Sequence, residues 1–402
     1  MSVATFERQQ PKALSKIKII DADTHLTEPH DLWTKRAPAS LRDRVPQVKT
    51  KDGVRSWVID GDKLIGRGAH PSSAIRKDGS KARTIDDFMK LEFEDVHLGS
   101  SDLTARLAVM DEIGVYAQIV YPNILGFGGQ ATAKVDPELR LASVQIFNDA
   151  MAEMQAESNG RFFPMALLPW WDIDEAVREI ERARKLGLRG VNINSDPHHH
   201  TGVDGQPIPD LATRHWDPLW EVCEDLNLPI NFHIGASEQS MDWLGQQGWP
   251  SLSTSLKAGL GGAMLFFNNG RVMSNIIYSG ALDRYPRLKF VSVESGIGWI
   301  PVLLEALAYQ LDEIAADETP LLTPQEYFKR NFYGCFWFEK ENISQTIRQV
   351  GVDNVLFETD YPHPTGLFPI DNLEERLKDL TEEERRKVMS LNAAKLYDIP
   401  LD

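Results

Sequence analysis

Eight short apolar runs, separated by segments of helical periodicity, constrain this chain of 402 residues more than any other feature of it. They are Ile17–Asp23, Ala117–Tyr121, Phe162–Leu168, Gly190–Asn194, Ile230–His233, Leu288–Glu294, Phe332–Phe338 and Val355–Asp360. Runs of this length followed by turn residues read as strands buried on both faces. Between them lie patterns such as Leu103, Leu107, Met110 and Ile113 closed by Gly114, and Ile173–Leu186 stopped by Gly187. Strand–helix alternation predicts a parallel sheet, and eight right-handed units predict closure into a (β/α)8 TIM barrel of the α/β class. An open doubly wound sheet is the alternative, but no Gly-x-Gly-x-x-Gly follows the first run.

The domain reading is an N-terminal extension over 1–16, then one barrel over 17–402 with an insertion at about 34–100 after the first strand. Inside the insertion, Ser56-Trp57-Val58-Ile59 and Lys63-Leu64-Ile65 flank Asp60-Gly61-Asp62, a hairpin pattern. A stretch leaving the first strand's C-terminal end must project from the catalytic face, so it is expected to cover the barrel mouth or pack on a neighbouring subunit. Near the end, Thr381-Glu382-Glu383-Glu384 is a capping-box pattern opening a helix over Glu382–Tyr397.

A formal charge of −16 argues against nucleic acid or an anionic membrane as partner through a general basic surface. No uninterrupted apolar run is long enough to span a bilayer, and residues 1–16 hold none fit for a signal peptide. Cys223 and Cys335 are the only cysteines, which argues against a disulfide framework and excludes a zinc site of three or four thiolates. The expectation is a cytoplasmic homo-oligomer that acts on a small molecule.

The chemistry gathers where the runs end. Asp23 and His25 are two apart on the first strand and share a face, His233 closes the fifth run, and Asp360 closes the eighth. Imidazole suits zinc and similar ions, carboxylate suits harder divalent ions, and a catalytic site keeps one position open. These four are the candidate ligands of one divalent metal. His198-His199-His200 lies in a polar loop and reads as a solvated turn. Trp171, beside Trp170, either walls a substrate or packs on helices. His363, three residues past Asp360, either orients substrate or hydrogen-bonds a ligand.

Asp23-Thr24-His25, Phe232-His233-Ile234-Gly235 and Glu358-Thr359-Asp360-Tyr361-Pro362-His363 together resemble the amidohydrolase-related family, the branch with aminocarboxymuconate-semialdehyde and resorcylate decarboxylases. The similarity runs from Ile17 to about Tyr397. It implies a (β/α)8 barrel with one zinc or manganese ion on Asp23, His25, His233 and Asp360. The family often has His or Glu in place of Asp23, and its decarboxylases place a catalytic His where this chain has Glu294. Members with two metals often bridge them with a Lys on the fourth strand, and Gly190–Asn194 contains none. The expected activity is metal-dependent, non-oxidative decarboxylation of a small aromatic or muconate-type acid. Asp360 and Glu294 are then catalytic, and His363, Asn194 and Trp171 bind substrate. Hydrolysis by a metal-activated water is the alternative, and a non-catalytic ligand-binding barrel is the reading from another class.

Overall fold

The computed structural model describes residues 16–65, 68–246, 248–318, 320–370 and 372–401; the expected extension lies outside them apart from Lys16. Among the described residues twelve strands form, in chain order: β1 (Ile19–His25), β2 (Gln47–Lys51), β3 (Val54–Ile59), β4 (Lys63–Leu64), β5 (Val115–Tyr121), β6 (Phe162–Pro164), β7 (Ala166–Leu167), β8 (Val191–Asn192), β9 (Ile230–His233), β10 (Phe290–Val293), β11 (Phe332–Phe336) and β12 (Val355–Phe357). Two parallel sheets, β1-β5-β6 and β12-β11-β10-β9-β8-β7, account for the eight expected runs. The third run divides: β6 pairs with β5 and β7 with β8. Met165 between them still donates to Val120 O at 2.9 Å, so the two sheets join there.

The other join closes the ring. Past the end of β12, Asp360 N donates to Asp23 O at 2.8 Å and His25 N to Tyr361 O at 2.7 Å, with a parallel bridge between Thr24 and Tyr361. The result is the expected barrel.

Strand alternation sorts the core. Ile20 and Ala22 of β1, Val291 and Val293 of β10, Cys335 of β11 and Leu356 of β12 share one cluster with Ile119 and Met165, while Phe290 and Phe332 pack in the larger layer toward the helices. The C-terminal segment belongs to the inner cluster through Ala393, Leu396 and Tyr397, and Tyr397 donates to Asn231 Oδ1 at 2.7 Å. The expected C-terminal helix opens on its capping box at Thr381 and contains a π-helical turn, Lys387–Leu391, between two α-helical pieces. The helix over Leu103–Ile113 ends as expected, with Gly114 at φ 77°, where a Cβ would be strained.

The insertion carries the expected hairpin, β3 and β4 paired antiparallel, and a third strand, β2, that the pattern did not announce. It is anchored at the C-terminal ends of β1 and β12. Thr27 N donates to Ser100 O at 2.9 Å, Ala74 N to Pro362 O at 2.8 Å, and Lys81 Nζ to Gly366 O. Trp57, buried, meets Trp33 edge-on at 5.6 Å. Among the described residues no helix is long and apolar enough to cross a membrane.

Candidate metal centre

The candidate ligands sit where the strands stop being regular. The β1–β5 register shifts between Asp21 and Thr24. Such an irregularity re-aims side chains, and it lets a strand whose Ile20 and Ala22 face the inner cluster also bring Asp23 and His25 to the site. Glu294 and Asp360 follow β10 and β12 at φ 53° and φ 56°, a left-handed conformation that costs non-glycine residues of order 1 kcal/mol or more. Two such residues face each other here, which is the pattern of strain kept at functional sites. Gly366 makes one of these turns feasible, because a Cβ there would stand 2.6 Å from Asp360 O.

Asp23, His25, His233 and Asp360 are each at most 1 % exposed. His25 Nδ1 lies 3.3 Å from Pro122 O, and His233 Nδ1 lies 2.8 Å from Ile234 O. A carbonyl only accepts, so each Nδ1 carries the hydrogen and each Nε2 presents a lone pair. The two Nε2 atoms are 3.2 Å apart. Two lone pairs at that distance repel each other unless a cation lies between them. Two nitrogens about 2.0–2.1 Å from one tetrahedral zinc stand about 3.3 Å apart, so the spacing fits a shared ion.

The carboxylates complete the set. Asp23 Oδ1 is 3.4 Å from His25 Nε2 and 3.6 Å from His233 Nε2, Asp360 Oδ1 is 3.5 Å from His25 Nε2, and Glu294 Oε2 is 3.3 Å from His233 Nε2. Neither carboxylate oxygen of Asp23 has a hydrogen-bond partner, although both are buried. Buried polar atoms are rarely left so. Ligand atoms of Asp23, His25, His233 and Glu294 lie within 4.8 Å of one another, as do those of His25, Glu294, Asp360 and His363. The candidate donor set of Asp23, His25, His233 and Asp360, two imidazoles and two carboxylates, suits zinc or manganese.

Charge explains why these groups need a cation. Burial raises the Asp23 carboxyl, against the pull of His233. Burial, then the charges of Asp360, Asp23 and Glu358, holds Glu294 well above the usual carboxylate range. Burial also holds His25 well below its ordinary value. These directions belong to the protein groups alone, and a divalent ion among them reverses the carboxylate shifts.

A second buried network underlies the centre. Asp21 accepts from Thr359 N at 2.8 Å, Thr359 Oγ1 at 2.6 Å and Gln118 Nε2 at 3.3 Å, and burial pushes its carboxyl up to about 8. Arg106, fully buried, donates to Gln118 Oε1 at 3.1 Å, to His25 O at 2.6 Å and to Gly99 O, and lies over the Tyr361 ring at 4.6 Å. Burial brings its guanidinium down to about 10. Together these bonds tie β1 to the segment after β12.

Of the residues singled out in the sequence, Asp23, His25, His233, Asp360, Glu294 and His363 converge. Asn194 and Trp171 are not among them, and Trp171 belongs to the buried apolar core. Asn194 Oδ1 accepts from Asp196 N at 2.9 Å, and Trp171 meets Trp170 edge-on at 5.6 Å, with Arg140 over its ring at 5.3 Å. His198 and His199 are exposed near Asp196, whose carboxylate is held by Arg271 at 2.7 and 2.8 Å. Three further residues escaped the sequence reading. Phe127 lies 4.2 Å from the His233 ring and 5.1 Å from His25, an aromatic wall on the candidate ligands, and nothing in its glycine-rich loop announces this. Glu358 accepts from Glu294 N at 3.2 Å, and its two-residue spacing from Asp360 was the available signal. Arg106 stands among Leu103, Leu107 and Met110 at helical spacing, a charge on an apolar stripe.

The model of the amidohydrolase family matches residues 20–399. The 2-amino-3-carboxymuconate-6-semialdehyde decarboxylase of Dictyostelium discoideum is 22% identical over 356 residues, covering 87% of this chain and 86% of that protein. A solved amidohydrolase from Mycobacterium avium subsp. paratuberculosis superposes with a TM-score of 0.76 at 24% identity, over 96% of this chain and 99% of that one. A dihydroxybenzoic acid decarboxylase from Polaromonas, solved with manganese and 2-nitroresorcinol, superposes with a TM-score of 0.58 at 20% identity, over 95% of this chain and 97% of that one.

Proposed function

We propose that this chain, which belongs to the amidohydrolase family, is a metal-dependent non-oxidative decarboxylase of a small aromatic acid. The observation that carries the metal is the pair of bare Nε2 atoms of His25 and His233, 3.2 Å apart beside the unpartnered carboxylate of Asp23. Similarity to decarboxylases of a muconate semialdehyde and of a dihydroxybenzoate supports the reaction class. Asp23, His25, His233 and Asp360 are the residues that would hold the ion. A divalent ion there supplies Lewis-acid polarisation of substrate oxygens.

The chain's own groups do the rest. Phe127 offers a flat face against the ligand imidazoles for an aromatic ring. When the bond from ring carbon to carboxylate breaks, its electron pair stays on carbon, and a proton must arrive there as carbon dioxide leaves. Asp360 carries that proton, a role supported by Thr365 Oγ1, which donates to its Oδ2 at 2.9 Å and orients the carboxyl, and by its Oδ1, 3.5 Å from His25 Nε2. Glu294, held at the end of β10 by its left-handed backbone, is the second acid or base and fixes a substrate hydroxyl. The reading includes a cytoplasmic setting, supported by two free buried cysteines, and a homo-oligomer, supported by exposed Val302, Tyr309 and Ile314 on the helix Ile300–Ile314.

The test is carbon dioxide release from hydroxybenzoates and muconate-type acids by protein loaded with zinc or manganese. Release that stops on chelation and returns with the metal is expected. Hydrolysis of esters or amides without such release would replace the decarboxylase by a hydrolase, and no divalent ion taken up at all would leave a ligand-binding barrel.

A further inference from the structure

No acidic residue lies between Asp242 and Asp283, in a chain that holds 59 acids and a net charge of −16. Most of that stretch is one helix, Thr254–Tyr278, 25 residues long. The shorter helix Glu238–Gln246 precedes it and packs on it, so closely that a Cβ on Gly261 would stand 1.9 Å from Leu244 O. This helical hairpin leaves the barrel just past His233, where a Cβ on Gly235 would stand 2.6 Å from Met241 Sδ of the short helix and 3.5 Å from Phe127. The second half of the long helix rests on its neighbour, with Tyr278 OH donating at 2.9 Å to Leu307 O of the helix Ile300–Ile314. The first half has little to pack on. From Thr254 to Met264 only Gly261 is buried, although Leu256, Ala258, Leu260, Ala263 and Met264 are apolar and Lys257 is the one charge. A helix apolar around so much of its circumference is normally a buried one.

Leu256, Leu260, Ala263 and Phe267 are exposed, Leu256 by 61% and Phe267 by 51%, and steps of four, three and four residues put them on one stripe. That stripe is its own complement when reversed. Turned about a point between Leu260 and Ala263, it sets Leu256 beside Phe267 and Leu260 into the room left by Ala263, each contact made twice, as a two-fold interface requires. Charge favours a second copy as well: two chains of −16 repel where their carboxylates meet, and this helix brings none. So does area. A helix of this length is about 37 Å long and about 10 Å across, a face of roughly 370 Å². Exposed Trp249 before it, and exposed Val302 and Tyr309 on the helix that holds Tyr278, widen that face toward the roughly 800 Å² per partner of a stable dimer. We propose that a second copy of this chain docks on the stripe, the two long helices lying antiparallel across a two-fold axis between Leu260 and Ala263. The interface rests on the reading of the chain as a homo-oligomer and gives that oligomer its surface.

Sedimentation velocity of the full chain tests it, and the parent is expected to run as a dimer at micromolar concentration. Ala263→Glu is expected to weaken that dimer about a hundredfold, because the new carboxylate enters the interface twice, close to the axis, where like charges oppose each other. Phe267→Ala is expected to weaken it about tenfold, as the loss of a central aromatic contact does. Both positions are exposed, so both variants should keep the circular dichroism of the parent. Adding Leu260→Lys to Ala263→Glu puts a lysine opposite each glutamate and is expected to recover the dimer. A dimer that persists unchanged in Ala263→Glu and in Phe267→Ala would overturn this surface and leave the homo-oligomer to another one. A dimer lost in Ala263→Glu and not recovered by the lysine would overturn the antiparallel pairing. A parent that is monomeric at micromolar concentration would overturn the surface and the homo-oligomer together, and the stripe would then belong to a lipid surface or a different protein.

Discussion

The seam where β12 meets β1 and the wall where β7 meets β8 lie in the same ring of strands and are held in different ways. At the wall, Ala166 pairs with Val191 and Leu167 with Asn192, and the cover is mostly apolar, with Leu167, Leu168, Trp170 and Ile180 buried and one buried amide, Asn148, bonded to Leu167 N and O at 3.0 and 2.9 Å. At the seam, backbone pairing is sparse and side chains carry the closure, through Asp21 on Thr359, Gln118 on Asp21, and Arg106 on the carbonyls of His25 and Gly99. Apolar burial contributes roughly 25 cal/mol per Å² with little demand on geometry, whereas buried charge is costly unless every partner is in place. The barrel thus places more of its buried charge at the join that carries Asp23, His25 and Asp360, and relies more on packing at the other, where the buried polar group on the strand is the Asn148 amide.

The sharpest break of this contrast is His25→Ala or His233→Ala. Each is expected to lose most bound metal, measured by elemental analysis, with a barrel that still folds by circular dichroism, because the apolar core lies elsewhere. Full occupancy in both variants would remove the metal from the seam. Next come the carboxylates. Asp360→Asn keeps an oxygen toward the ion but loses its proton, and turnover should fall by about 10²–10⁴. Glu294→Gln should keep the metal and lose about a hundredfold. Metal lost from Glu294→Gln would make that residue a ligand, and unchanged turnover would leave it as a structural group.

A smaller pair of effects sets seam against wall directly. Arg106→Met strands several buried acceptors, and Leu167→Ala opens a cavity; each should cost about 2–5 kcal/mol in urea unfolding. Only the first should also weaken zinc affinity, read by competition with a chromophoric chelator, because Arg106 holds the His25 carbonyl. Equal zinc affinity in the two variants would erase the distinction.

The smallest effect concerns Glu28, next to the seam. Burial, opposed by the amides of Asn123 and Ile124, pushes its carboxyl from 4.5 up to about 7. A group raised on folding gives its stabilisation below the unfolded value and loses it as the pH rises through the folded one. Stability should therefore decline between about pH 4.5 and 7 by up to about 3 kcal/mol from this group and level off above that range. Glu28→Gln keeps an acceptor for the two amides and should flatten the decline, seen in urea midpoints at pH 5 and 8.

Much of the fold was legible because its signals are local. The run Ile230–His233 is the strand observed, the helix before Gly114 stops where the glycine allows, and the hairpin around Gly61 forms as its pattern indicates. The third run was not legible in full, since its division at Met165 reflects which neighbour each half pairs with. Asp23, His25, His233 and Asp360 were readable as strand-end residues of ligand type. Phe127 and Asn123 were not, because an aromatic or an amide in a loop has no periodicity to mark it, and only the folded loop brings them to His233 and His363.

By itself, then, the sequence determined the alternation of strands and helices and the chemical kinds of residue at the strand ends, because hydrophobic period and turn chemistry act over a few neighbours. Tertiary structure alone decided which of those groups meet. The approach of the His25 and His233 nitrogens and the buried bonds of Arg106 and Asp21 exist only in the folded ring. Their partners lie tens to hundreds of residues away, and only a closed ring of strands brings them within hydrogen-bonding distance.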